Sequence, residues 1–330
     1  MSFDNIKLEK GLYTTSKGFT ASLEELDPSE NYIGTDYEGL DAYQRQLKRF
    51  DIKVSGTGSD TISKFFQTTD SAALFPEYIS RAVQQGLEEE DIISKIVATT
   101  TMIDSLDYRA VESVPADEDK ELMHVTEGAK IPETSVKTKD KLTKLHKRGR
   151  MLVASYEAIK FQKLDLFTVT LKQIGAYIAR TQLMDALDVI SDDEGVEIIS
   201  GKDTVTYNDL LTLWDKLNPY NLSTLVASTP AIADMLNLPE FKDSYAGQSF
   251  HGTGKMITPF GAEVLKFGKF DGKIIVALDK TAAIERVQAG GIVTEYDKLI
   301  DRQLERAAIT VTAGFSTIFS DAAKIFDISD

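Results

Sequence analysis

The 330-residue chain contains no cysteine, which excludes a disulfide framework and a thiolate nucleophile. No apolar run approaches the ~20 residues that a membrane-spanning helix needs. The opening MSFDNIKLEKGLYTTSKGF lacks the apolar centre of a secretory signal. These absences predict a chain kept in the cytosol, or in a particle assembled there. Histidine is scarce: His124, His146 and His251 stand far apart, with no second ligand at metal spacing. No G-x-S-x-G elbow is present. The loop GQSFHGTGK imitates a phosphate loop and fails in both registers. Counted from Gly247, Thr253 replaces the required Lys; counted back from Lys255, Ser249 replaces the first Gly and Met256 the final Ser or Thr. The acidic pair Asp192-Asp193 and the run Glu88 to Asp91 have the composition of solvated helix ends rather than Mg²⁺ sites. The expectation is no enzyme, no cofactor and no metal.

Positive charge is the next scarcity. Lys and Arg number 37 against 52 Asp and Glu, a formal net charge of -15. That balance argues against a dedicated nucleic-acid-binding face, which needs a continuous basic surface. The exception is Lys130 to Arg150, KIPETSVKTKDKLTKLHKRGR, where eight Lys or Arg meet only Glu133 and Asp140. As a solvated edge, it would discourage aggregation. As a nucleic-acid contact, it would carry stacking aromatics, and none occurs between 121 and 150. As a protein-protein arm, it gains only about 0–1 kcal/mol per exposed ion pair. Such terms add around a closed ring of subunits, where charge also fixes register.

What remains is a chain long enough for about two domains, with a hydrophobic fraction of 42%. Residues 1 to about 60 are rich in Ser, Thr, Gly, Asp and Glu without a sustained period, apart from a short helix at DAYQRQLKRF. They predict an extended arm ordered by lying on something else. Pro76 opens a helix with Tyr78, Ile79, Ala82 and Val83 on one face, ended by Gly86. Residues 88–91 would then sit at a helix N-terminus, and Ile96 to Val114 predict strand. Residues 121–136 and 138–153 form two extended arms with EGAKIPE towards the tip. Leu164 to Val189 predict a long helix, with Phe167, Leu171, Ile174 and Ile178 on one face, stopped by SDDEG at 191–195. Further on, Thr206 and Asp209 cap the helix YNDLLTLWDKL. LSTLVAS is a strand, and Thr229-Pro230 starts the next helix. Residues 240–258 form a long loop. The runs AEVLKF, KIIVAL, AAIERVQ and IVTEYD are strands, and RAAITVTAGFSTIF closes the chain as a strand pair.

Several of these stretches, in this order, resemble the tailed-phage major capsid proteins, whose fold encapsulin shells share. They are SAALFPEYISRAVQQG at 71–86, VTEGAKIPET at 125–134, the helix 164–189, STLVASTPAIADML at 223–236, ITPFGAEVLKF at 257–267 and ERAAITVTAGFSTIFSDAAKIFDI at 305–328. The resemblance covers residues 65–330. It implies an α+β major-capsid fold with an N-terminal arm (1–65) and a discontinuous P-domain. The P-domain comprises 66–120, 152–204 with a spine helix at 164–189, and return strands at 301–330. An extended hairpin E-loop (121–151) and an axial A-domain (205–300) complete the fold. By the same resemblance, the chain builds pentamers and hexamers that close into an icosahedral shell around double-stranded DNA, contacted non-specifically. Its partners would be itself, a scaffolding protein and a portal, with no membrane involved. Its location would be the virion capsid, assembled in the host bacterial cytoplasm. An encapsulin-type compartment with an enzyme cargo is the alternative.

On this basis Lys137, Lys139, Lys141, Lys144, Lys147, Arg148 and Arg150 form an intersubunit clamp. Its acidic complement would be Glu88, Glu89, Glu90 and Asp91, or the acidic N-arm. The family's cross-linking trio has no clear match here, so no covalent cross-link is expected. Residues 1–60 look like a retained arm, which makes any scaffold a separate chain.

Overall fold

The computed structural model describes residues 3–13, 18–90, 92–112, 124, 127, 137–139, 142–242 and 255–328. Four helices come first: α1 (Phe19–Leu26), α2 (Ala42–Arg49), α3 (Thr69–Ala72) and α4 (Phe75–Glu90). Strands β1 (Thr99–Ile103), β2 (Val111–Glu112), β3 (Lys137–Thr138) and β4 (His146–Ser155) lead to α5 (Tyr156–Phe161) and the long α6 (Leu164–Ser191). Short elements then alternate: β5 (Glu197–Ser200), α7 (Tyr207–Lys216), β6 (Thr224–Ser228), α8 (Thr229–Asn237), α9 (Pro239–Lys242), β7 (Glu263–Phe267) and β8 (Ile274–Leu278). The last four strands are β9 (Ile284–Ala289), β10 (Val293–Leu299), β11 (Leu304–Thr317) and β12 (Ala323–Asp327). The chain divides into two compact units, each drawn from three segments. The first holds 1–90, 147–179 and 291–311; the second holds 91–146, 180–290 and 312–330.

In the first unit the N-terminal region departs from the expected extended arm. A capping box starts α2, with Asp41 accepting from the Gln44 N–H at 2.7 Å and the Gln44 side chain accepting from the Asp41 N–H at 3.0 Å. Arg45 is fully buried. Its Nε donates to Asp27 at 2.6 Å, it donates to Ser29 Oγ at 2.9 Å, and its guanidinium lies 4.3 Å from the Tyr32 ring centroid. A paired, fully bonded guanidinium of this kind tolerates burial. Leu8, Phe19, Leu23, Tyr43, Leu47 and Phe65 join one core with Leu74, with Ile79 and Val83 of α4 and with Leu171, Ile174 and Ile178 of α6. The apolar residues of 1–60 are too scattered to show a period, but the core they complete belongs largely to distant helices.

Helix α4 does not stop at Gly86 and continues to Glu90. Glycine here serves a crossing rather than a terminus. A Cβ at Gly86 would lie 2.1 Å from the Lys172 carbonyl oxygen, and one at Gly175 would lie 2.1 Å from that of Val83. The two backbones touch because neither residue has a side chain. Glu88, Glu89 and Glu90 therefore occupy the last turn of a helix, not its N-terminus, and face the negative end of its dipole. Lys172 offsets this by pairing with Glu89 at 2.7 Å.

In the second unit a five-stranded sheet runs β5-β12-β8-β6-β7, with β5/β12 and β6/β7 parallel and the other pairs antiparallel. One face packs Leu225, Ala227 and Ile275 on Leu210 and Leu213 of α7 and Ile232 and Met235 of α8. The other packs Val226, Val276 and Ile325 with Leu183, Leu187 and Ile190 of α6. Strand β6 is buried along its whole length, which explains its unbroken apolar run. Thr206 and Asp209 form the expected capping box on α7. Helix α8 is capped one residue earlier than expected: Ser228 Oγ accepts from the Ala231 N–H at 3.2 Å, and Pro230 lies in the first turn.

The chain end also differs from expectation. RAAITVTAGFSTIF does not fold back as a strand pair. Its residues 306–317 lie in the single strand β11, Leu304–Thr317, whose first half pairs with β10 and whose second half pairs with β9. Strand β12 then enters the five-stranded sheet between β5 and β8, so the chain end from 312 belongs with 180–290 and not with the expected P-domain.

Candidate assembly surface

The base of the predicted hairpin is present. Strand β2 pairs antiparallel with β3, Val111 opposite Thr138 and Glu112 opposite Lys137. The Lys139 N–H donates to the Ala110 carbonyl at 2.8 Å and the Thr143 N–H to that of Tyr108 at 2.8 Å. The pairing thus begins at residue 111, ahead of the 121 expected for the first arm. The later basic residues belong to β4, which pairs with β11 instead of extending the hairpin. The tip residues EGAKIPE lie outside the described residues except Glu127, and Lys141, Asp91 and the loop 243–254 with His251 lie outside them altogether.

The seven basic candidates do not share one environment. Lys139 is half-buried, and its Nζ donates to the Thr317 carbonyl at 2.8 Å and to Thr317 Oγ1 at 3.0 Å. Thr317 in turn donates to Asp193. Lys144, Lys147 and Arg150 are exposed, while Arg148 is half-buried. The Arg150 guanidinium sits 5.6 Å from the Tyr177 ring centroid. Only the backbone of Lys137 is placed, in β3.

The acidic complement of the lower basic stretch lies within the same unit. Lys139, Lys144 and His146 line a groove of about 680 Å³ with Asp185, Asp188, Asp192, Asp193 and Glu194, at the C-terminal end of α6 and just beyond. His146 Nδ1 stands 3.4 Å from the buried Asp185 carboxylate. Burial would raise the Asp193 carboxyl. Donors from Thr317, the Gly195 N–H and Ser320, with the charge of Lys139, outweigh burial and hold the group below the ordinary aspartate value. A depressed folded value stabilises the fold above the unfolded pKa, and that contribution is lost as pH falls through the folded pKa. The expected result for Lys139→Met is a less stable chain at neutral pH. A charged hydrogen bond contributes about 1.5–3 kcal/mol, and at ~2–4 °C per kcal/mol the midpoint should fall by roughly 3–10 °C. The deficit should shrink as pH drops below the Asp193 pKa, and thermal unfolding followed by circular dichroism at several pH values measures it.

Helix α6 carries a second surface. Its inner face, Leu171, Ile174 and Ile178, is buried. Its outer face is mixed: Leu166 is 62% exposed, Val169 63% and Tyr177 46%, and they stand among the exposed Thr170, Gln173 and Arg180. On strand β4, Met151 and Val153 are likewise exposed, while the alternate residues Leu152 and Ala154 pack on the core. Several large apolar side chains exposed close together in this way mark a contact surface. The 3- and 8-residue spacing of Leu166, Val169 and Tyr177 is visible in the sequence, where the stronger inner stripe masks it.

Among the described residues no group of acids or histidines is placed to hold a metal ion, and no helix is long and apolar enough to cross a membrane. The chain thus combines an α+β frame, a 28-residue helix with exposed apolar side chains and a basic strand. The profile of the phage capsid protein family matches residues 138–326, more than half of the chain. The chain belongs to the phage capsid protein family and is a structural major capsid protein.

Solved structures agree on the fold. The virus-like particle protein of Pyrococcus furiosus is 11% identical, with a TM-score of 0.52 over 76% of this chain and 98% of that one. The capsid protein of a native GTA particle is 12% identical, with a TM-score of 0.51 over 72% and 91%. A protein of Gordonia phage Cozz is 13% identical, with a TM-score of 0.50 over 72% and 86%. No curated protein matches the chain in sequence.

Proposed function

We propose that copies of the chain associate as pentamers and hexamers and close into an icosahedral shell around double-stranded DNA. The observation that carries this is the set of exposed apolar side chains on α6, Leu166, Val169 and Tyr177, which an isolated subunit leaves in water. In this reading α6 is the spine of a P-domain, the segment between β2 and β3 acts as the E-loop, and 205–290 supply the axial domain. The upper basic residues reach a neighbouring subunit, where the exposed Glu88 and Glu89 offer one acidic complement. The net charge of -15 suits walls that repel phosphate and let packaged DNA slide. A separate scaffolding chain and a portal complete the particle, which assembles in the bacterial host. No catalytic role is assigned.

The second reading is an encapsulin-type compartment with an enzyme cargo, a shell of the kind that the fold shared with the Pyrococcus furiosus virus-like particle allows. Size-exclusion chromatography with light scattering, followed by negative-stain imaging, tests the shell itself. Rings or closed shells support it. A persistent monomer at high concentration, even with a candidate scaffold, overturns it. The nucleic-acid content of shells purified from the host separates the two cargoes.

Reversing Lys147 and Arg150 to Glu tests the clamp. At about 1 kcal/mol per exposed pair, two reversals weaken each contact by roughly 1–2 kcal/mol. The threshold concentration for assembly should rise about tenfold while the monomer's circular dichroism is unchanged. Assembly at the wild-type threshold would remove the clamp.

A further inference from the structure

Arg286 lies on β9 and is half-buried. Its Nε makes no hydrogen bond. Burial alone holds its pKa below the ordinary arginine value, with no neighbouring charge acting to raise it. The contrast with other arginines is sharp: Arg45 sits on Asp27, Arg81 on Glu77 and Asp41, and Arg306 on Asp297. The adjacent carboxylate cannot serve, because strand alternation sends Glu285 to the opposite face. There it accepts from Tyr108 at 2.8 Å and from Thr101.

The register shows from which side Arg286 is reachable. Arg286 stands opposite Phe315 on β11 and opposite Thr100 on β1. Phe315 is buried in the core with α6 residues, which closes that side. Thr100 is exposed and Met102 is 59% exposed, which leaves the β1 side open. Among the described residues β1 pairs only with β9, so it is also an edge strand. A guanidinium partly out of water and without a counter-ion is costly unless a partner arrives to complete it.

We propose that this edge is a contact between copies of the chain, in which a carboxylate of a second copy seats on Arg286 between β1 and β9. The proposal rests on the self-assembly reading above. The chain's own charge favours a carboxylate partner: 52 acids against 37 bases leave a surplus on the surface of every copy. A guanidinium accepts a carboxylate bidentately, which would set the orientation of the two copies as well as hold them.

The test uses three variants of the full chain. Arg286→Met should melt at or above the wild-type temperature and raise the assembly threshold about tenfold or more. Thr100→Glu places a carboxylate directly opposite Arg286 on its own chain. It should raise the melting temperature and weaken assembly by a similar factor, because the guanidinium is then satisfied internally. Thr100→Gln, of the same shape without the charge, should assemble as wild type. If Arg286→Met fails to fold, the two Thr100 variants decide, and equal assembly by both overturns the proposal. Arg286→Met assembling at the wild-type threshold overturns it while leaving the shell reading intact. If those normal shells have lost affinity for a short DNA duplex, the proposal is overturned and Arg286 is a phosphate contact. A wild-type chain that forms no oligomer removes both.

Discussion

With aspartate at both Leu166 and Val169, the chain will fold as a monomer and form no capsomers. Both side chains are more than 60% exposed, so neither substitution opens a cavity in the subunit. The helical cost is about 0.5 kcal/mol per site. At Leu166, in the first turn of α6, the new carboxylate partly recovers this through the helix dipole. The assembled state has no such relief. Burying a Leu or Val side chain contributes about 1.5–3 kcal/mol, and an unpaired carboxylate in its place adds a desolvation cost of several kcal/mol more. Each contact should therefore weaken by at least ~5 kcal/mol, a change of more than 1,000-fold in its equilibrium constant. Light scattering after size exclusion should report the monomer mass at every concentration at which the wild type forms rings or shells. Circular dichroism and melting temperature should match the wild type. Shells from the double variant would show that this face looks onto solvent in the particle, and the proposed role of α6 would fail.

The features legible in the sequence share one property: their cause lies within a few residues. The inner stripe of α6, the Thr206–Asp209 box and the alternating runs at 262–297 are set by local periodicity and capping. Features that failed to show there depend on partners far away. Gly86 reads as a helix stop until Lys172 is known to cross beside it. Residues 1–60 read as an arm because the core they join is contributed by α4 and α6, and because a buried Arg45–Asp27 pair leaves no hydrophobic signature. The basic stretch announces itself by charge, but composition cannot tell Lys139, committed to Thr317 within its own unit, from Lys147, which is exposed. The acidic groove at 185–194 was hidden for the same reason: its residues look like a solvated helix end until His146 and Lys144 are placed against them. Arg286 gives no local signal whatever, since a lone Arg in an alternating strand is ordinary until its partners are counted.

Replacing Gly175 with Ala will destabilise the first unit more than any single surface change. The added Cβ would stand 2.1 Å from the Val83 carbonyl oxygen and 2.6 Å from the Leu87 nitrogen. Both are backbone atoms of a helix, so no rotamer change can clear the clash, and α4 and α6 must separate along their contact. Ala favours a helix interior over Gly by about 1 kcal/mol. Overpacking typically costs 1–3 kcal/mol and occasionally more, and a backbone clash on both partner atoms belongs at the upper end. A net loss of ~2–3 kcal/mol should lower the melting midpoint by about 5–10 °C. Gly86→Ala meets the Lys172 carbonyl at the same 2.1 Å and should behave alike. The double variant should cost less than the sum of the two, because helices already spread for one Cβ leave room for the second. Additive losses would mean that the two glycines act at separate contacts. A rise in the midpoint for either single variant would mean that helix propensity outweighs the crossing, and that the close approach of these two backbones is not what fixes the position of α4 on α6.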